Sequence, residues 1–116
     1  MSKEPFVIRR LKEMKEDHPD PGYRRCFVTT KDSPNLSISH FRFVNEAKLH
    51  HHVKCTEFYY VTEGKGQMEF GGKLYDVEPG DLIQINPYTV HRPVGTFNCL
   101  VFCSPGVSKE DVILDE

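Results

Sequence analysis

Three consecutive histidines, His50, His51 and His52, stand in the stretch NEAKLHHHVKCTEFYYVTEG, and Glu57 follows five residues after the last of them. Imidazole and carboxylate together bind first-row transition ions. Side chains alternate along a strand, so His50 and His52 share one face and His51 takes the other. Two imidazoles two residues apart can hold one ion. On a regular strand Glu57 has the opposite parity to His52, so it joins the pair only if the chain bends or bulges between them, and VKCT has room for that. A fourth donor has to come from another strand. His91, in NPYTVHRP just after the turn at Pro87, is the best placed. Three imidazoles and a carboxylate suit iron, manganese, nickel, copper or zinc, and leave positions for water or substrate on an octahedral ion. Consecutive histidines also occur as exposed patches that bind metal weakly, and spacing alone leaves both readings open.

Other residues are weighed against ordinary structural roles. Tyr59 and Val61 share the parity of Glu57. Tyr59 is a candidate to hydrogen-bond substrate or metal-bound water, although a core tyrosine with a satisfied hydroxyl is commoner. Gln67 and Gln84 lie in apolar strands, where they either orient a ligand imidazole or face outward. His40 shares a face with Ile38 and Arg42, opposite Phe41 and Phe43, and so is expected to face out. His18, beside Pro19, is expected in solvent. Arg92 is read as a rim charge rather than a partner for an anion. Cys26, Cys55, Cys99 and Cys103 form no C-x-x-C pair. They read as reduced, mostly buried thiols, with Cys99 and Cys103 on one strand face.

The elements that must position these groups are strands. YRRCFVTT, LSISHFRFV, KCTEFYYVTE, QMEF, KLYDVE, LIQI and NCLVFC are rich in β-branched and aromatic residues. KDSPN, GKG, GG, PGD and NPYT punctuate them. The Gly71–Gly72 pair predicts a tight hairpin. FVIRRLKEMKE reads as a strand followed by a short helical turn, ended by HPDPG. No long helical pattern is present, so the chain is expected to be an all-β sandwich or barrel. Its 116 residues suit one domain. An N-terminal segment, 1–35, is expected to pack on a barrel built from 36–116, whose end, SKEDVILDE, is acidic. Net charge is -2, with opposite charges interspersed, which leaves no footprint for nucleic acid. MSKEPFVIRR carries no secretory apolar region and no run is long enough to span a bilayer, so a cytoplasmic protein is expected.

The histidine motifs resemble those of the cupin superfamily, in particular its small single-domain members. The family's first motif is H-x-H, three or four residues, E, six residues, G. It is matched by His50, His52, Glu57 and Gly64. The second is G, five residues, P-x-G-x-x-H, three residues, N. It is matched at Gly80 and His91, with Asn86 at the proline, Tyr88 at the glycine and Gly95 at the asparagine. The likeness covers roughly residues 36 to 104. It implies a double-stranded β-helix, a jelly-roll barrel of two antiparallel sheets. It also implies one divalent transition metal per chain held by His50, His52, Glu57 and His91, with Glu57 turned inward and His51 a bystander. The functions it implies are metal-dependent chemistry on a small molecule, with oxidoreductase or dioxygenase-type reactions favoured, redox-inert isomerisation, or non-catalytic binding of a sugar or small ligand. The intact Glu57 argues against the three-histidine thiol dioxygenases. A homodimer through a sheet edge or the N-terminal segment is also implied.

Overall fold

The computed structural model describes residues 4–115. Its strands, among the described residues, are β1 Glu16–Asp17, β2 Gly22–Val28, β3 Ser37–Val44, β4 His50–His51, β5 Thr56–Gly64, β6 Gly66–Phe70, β7 Lys73–Val77, β8 Leu82–Ile85, β9 His91–Val94, β10 Thr96–Ser104 and β11 Ile113–Leu114. They form two antiparallel sheets, ordered β1-β2-β3-β10-β5-β8 and β11-β4-β9-β6-β7. The chain is an all-β jelly-roll barrel, as the motifs implied. Among the described residues, helical structure is confined to 3-10 turns at Leu11–Glu13 and Lys109–Asp111. None of the described helices is long and apolar enough to cross a membrane.

Side-chain alternation accounts for the two layers. Along β10, Phe97, Cys99, Val101 and Cys103 are buried and their neighbours are not. Along β5, Glu57, Tyr59 and Val61 point the same way. β10 lies between β3 and β5, and puts Phe97 opposite Phe43 and Cys103 opposite Glu57. Phe43 packs edge-on to Phe97 at 5.1 Å between ring centroids and beside Tyr59 at 5.4 Å. This aromatic group fills the barrel beside the polar cluster and supplies much of its apolar burial. His40 lies opposite Leu100 and Arg25, on the outer face, as parity predicts.

Two turns are set by backbone conformation. Gly71 and Gly72 have φ of 57° and 79° and close the β6–β7 hairpin between Phe70 and Lys73. Gly64 has φ of 80°, and a Cβ there would meet Phe97 Cα at 3.1 Å. The expected strand at Phe6–Ile8 does not form. All three side chains are more than half exposed, so no burial drives pairing there. The acidic C-terminal stretch folds back on the body: β11 pairs with β4, and Asp115 N–H donates to Leu49 O at 2.9 Å.

Gly64→Ala forces a left-handed residue against Phe97. We expect it to lower unfolding free energy by about 1–2 kcal/mol, read from urea melts. An unchanged midpoint would contradict the close approach.

Candidate metal centre

The parity conflict between His52 and Glu57 is resolved by a corner, not by a bulge within one strand. β4 ends at His51 in the smaller sheet and β5 begins at Thr56 in the larger one, so residues 52–55 carry the chain between layers. Such a corner leaves backbone N–H groups without ladder partners, and buried amides need acceptors. Asp111 supplies them. Its carboxylate accepts from Val53 N–H at 2.8 Å, Lys54 N–H at 3.0 Å and Cys55 N–H at 3.2 Å. Burial works against this carboxylate's charge, but the three amides outweigh it and hold its pKa below the usual carboxylate value. Sequence reading missed Asp111. It shows there only as one acid among several in SKEDVILDE.

His50, His52, Glu57 and His91 are brought together and are all buried. Their nearest donor atoms lie within 4.8 Å of one another. His50 and His91 are direct cross-strand neighbours, and Glu57 reaches across from the other sheet. Each of the three rings engages a backbone carbonyl through Nδ1: His50 with Lys48 O at 2.9 Å, His52 with Asp111 O at 2.8 Å and His91 with Thr89 O at 2.8 Å. A carbonyl only accepts, so every Nδ1 carries the proton. In the neutral rings each Nε2 then presents a lone pair. Three such lone pairs and a carboxylate converge, with Glu57 Oε1 at 3.1 Å from His91 Nε2 and 3.4 Å from His52 Nε2.

Neutral acceptors facing a carboxylate repel unless a cation lies between them. His52 Nε2 is buried without a hydrogen-bond partner. Metal–nitrogen bonds of about 2.0–2.1 Å would put ligand atoms roughly 3–4 Å apart, a range that holds the two Glu57–histidine separations of 3.1 and 3.4 Å. The donor set fits a transition ion. Without one, a proton has to take its place. Burial resists charge on His52, but Cys55 and Glu57 outweigh it and push the ring up to about 11. Burial likewise resists charge on Glu57, and His52 and His91 outweigh it, so the carboxyl is held well below its usual range. Burial, followed by the neighbouring His91, lowers the pKa of His50.

A cavity of about 70 Å3 opens on His50, His52 and Glu57, with Tyr59, Ser39 and Arg24 also in its wall. Tyr59 is buried, and burial and then the charge of Glu57 push its hydroxyl pKa well up. Cys103 Sγ–H donates to Glu57 Oε2 at 3.6 Å, which leaves Oε1 for the histidines. A second trio, His52, Cys55 and Asp111, also lies within 4.8 Å, but its carboxylate is occupied by three amides. Gln67 and Gln84 do not support the ligand rings. They bond Asp76 and Asn86 on the exposed surface. Arg92 pairs with Glu69 at 2.9 Å. His51 faces away and bonds Asp115 at 2.8 Å, and His18 stacks on Tyr23. The four cysteines are free thiols.

A family model for the cupin domain matches residues 42–104. This chain belongs to the cupin family. Its cluster of three histidines and a glutamate fits a cupin metal site. Tyr88, at the glycine of the second motif, has φ of 69°, the left-handed conformation a glycine would adopt more easily, and its N–H donates to His52 O at 2.7 Å. Tyr88 therefore holds the left-handed conformation that a glycine at this position would favour. An uncharacterized protein of Methanocaldococcus jannaschii is 36% identical over 67 residues, 54% of each chain. The glucose-6-phosphate isomerase of Thermococcus onnurineus is 36% identical over 77 residues, 60% of this chain and 39% of that one. The match thus spans about half or less of these relatives' lengths. A protein from Planctomyces limnophilus shares the fold with a TM-score of 0.87 at 22% identity, covering 97% of this cupin and 98% of that chain. A Streptomyces nucleoside dehydratase does so at 0.81 and 14%, covering 94% and 92%.

His52→Ala is expected to abolish stoichiometric metal binding and His51→Ala to leave it nearly intact, read by elemental analysis. Equal losses would contradict the face assignment. Because His52 is protonated without metal, binding at pH 7 should release about one proton per ion. Calorimetry in buffers of different ionisation enthalpy measures this, and zero release would contradict it. Asp111→Asn should cost about 1.5–3 kcal/mol of stability. The Asp111 pKa is depressed in the fold, so its contribution is present above the unfolded pKa of about 4 and fades as pH falls through the folded value. A gap between the two proteins that stays constant down to pH of about 2 would refute that account.

Proposed function

We propose that this cupin is a mononuclear metal-dependent enzyme acting on a small molecule at His50, His52, Glu57 and His91, with oxidation of dioxygenase type as the first reading. The observation that carries it is the common orientation of three imidazoles, each with Nδ1 spent on a carbonyl and Nε2 turned into the barrel. A bound ion supplies Lewis acidity to a coordinated oxygen and, where redox-active, electron transfer.

The chain's own groups do the positioning. Asp111 O and Thr89 O fix two rings in the ligating tautomer. Cys103 orients the Glu57 carboxylate. Phe41, Val101 and Val107 limit water in the cavity. Burial and the charge of Glu57 favour the protonated form of Tyr59, so its Oη–H is assigned as a hydrogen-bond donor to a substrate oxygen. A redox-inert isomerase is the second reading. Its support is the name carried by the Thermococcus relatives. A homodimer is part of the same proposal, supported by the exposed Phe6–Ile8 and by the edge strand β8 with Leu82 exposed.

Elemental analysis of protein grown without added metal, then of apoprotein offered iron, manganese, nickel, copper and zinc together, separates these readings. About one redox-active ion per chain is expected. Zinc alone would favour isomerisation. A protein that takes no ion would be a binding module. Tyr59→Phe should retain the ion and lower kcat about 10²-fold or more. Unchanged turnover would remove Tyr59 from the chemistry.

A further inference from the structure

The cavity over the metal ligands is not closed. Asp20, Arg24, Val107 and Val112 line both it and an outer cleft of about 610 Å3, which also holds Ser108 and Lys109. These shared residues form a neck between β2 and the segment after β10, so the neck is the way in. Resting on the reading that the metal-lined cavity takes the substrate, we infer that the substrate is a small organic acid. Its carboxylate or phosphate docks on Arg24 in the neck, and its other end enters the cavity.

Parity puts Arg24 there. Its register partner on β3 is Phe41, which lines the cavity, while Arg25 pairs with outward His40. Arg24 is the one lysine or arginine among the residues lining the inner cavity, and it sits at its mouth. The guanidinium is held rather than swinging: Nε donates to Asp17 Oδ1 at 3.1 Å and Nη2 to Asp17 Oδ2. Nη1 takes no part in that pair, the Cys26 side chain also lies against the guanidinium, and the Arg24 side chain is 29% exposed. A fixed, planar fork that is still part-exposed is suited to an oxyanion, which takes charge-assisted hydrogen bonds from it. Lys109 adds positive charge on the outer side. Asp20 also lines the neck, and its Oδ2 accepts Lys48 N–H at 3.3 Å. It repels an anion from its own wall but accepts from a hydroxyl, so the acid group goes to the Arg24 side. The inner volume of about 70 Å3 admits only a compact end. Larger substrates must leave their bulk in the outer cleft.

The test uses acetate and its uncharged isostere acetamide, with inorganic phosphate as the second oxyanion. Each is titrated into metal-free and zinc-loaded protein and followed by the NMR signals of Arg24, Val107 and Val112. Acetate or phosphate is expected to bind about tenfold more tightly than acetamide, and Arg24→Gln to remove that preference. Asp17→Asn keeps an acceptor for the guanidinium but removes the opposing charge, and should tighten oxyanion binding about two- to fivefold, a gain that a damaged fold would not produce. Tighter phosphate points to phosphate esters, and tighter acetate to carboxylic acids. Equal binding of acetate and acetamide, or a preference untouched by both variants, overturns the inference. Failure to hold zinc, with the preference intact in the metal-free protein, would sink the metal reading and leave the Arg24 subsite standing.

Discussion

A buried carboxylate near the C-terminus holds the corner on which the site is built. Asp111 takes the amides of Val53, Lys54 and Cys55, and its own carbonyl takes Nδ1 of His52. The first set of bonds lets the chain pass from one sheet to the other, so that His52 and Glu57 face the same interior although their spacing sets them at odds. The last bond fixes the tautomer of one of the rings. Fold and site are therefore joined at a single residue: a chain that lost these bonds would leave unsatisfied amides in the corner and a His52 ring free to turn.

The barrel divides its interior into two chemical regions. Phe43, Phe97, Met68 and Val61 form an apolar part, and His50, His52, Glu57 and His91 form a polar part beside it. Burying four ligating groups opposes folding unless each is satisfied. Backbone carbonyls satisfy three Nδ1 atoms and Cys103 one carboxylate oxygen. What remains is a set of inward-pointing acceptors whose mutual repulsion is relieved by a cation or a proton. That leftover acceptor capacity is what fits the cluster to a cupin metal site.

Much of the architecture was legible from alternation and turn chemistry. The strands of NCLVFC and SISHFRF and the outward His40 follow from parity, and the Gly-Gly hairpin from turn chemistry. The clustering of His50, His52, Glu57 and His91 was legible because they keep a motif's spacing, although only the corner explains how that spacing works. Asp111 was not legible, since its role depends on a contact some 58 positions away and acids near chain ends are usually solvated. Arg24 was missed for a related reason. One arginine of the pair in YRRC faces the interior, and only the register with β3 says which. The apolar run at Phe6–Ile8 misled because strand propensity without a surface to bury gives no strand.

X-ray absorption at the metal edge of the reconstituted protein tests the central claim most directly. The account predicts a shell of nitrogen and oxygen only, with the outer-shell scattering of three imidazoles. Scattering from sulfur at about 2.3 Å would place Cys55 or Cys103 on the ion and contradict the three-histidine, one-glutamate site.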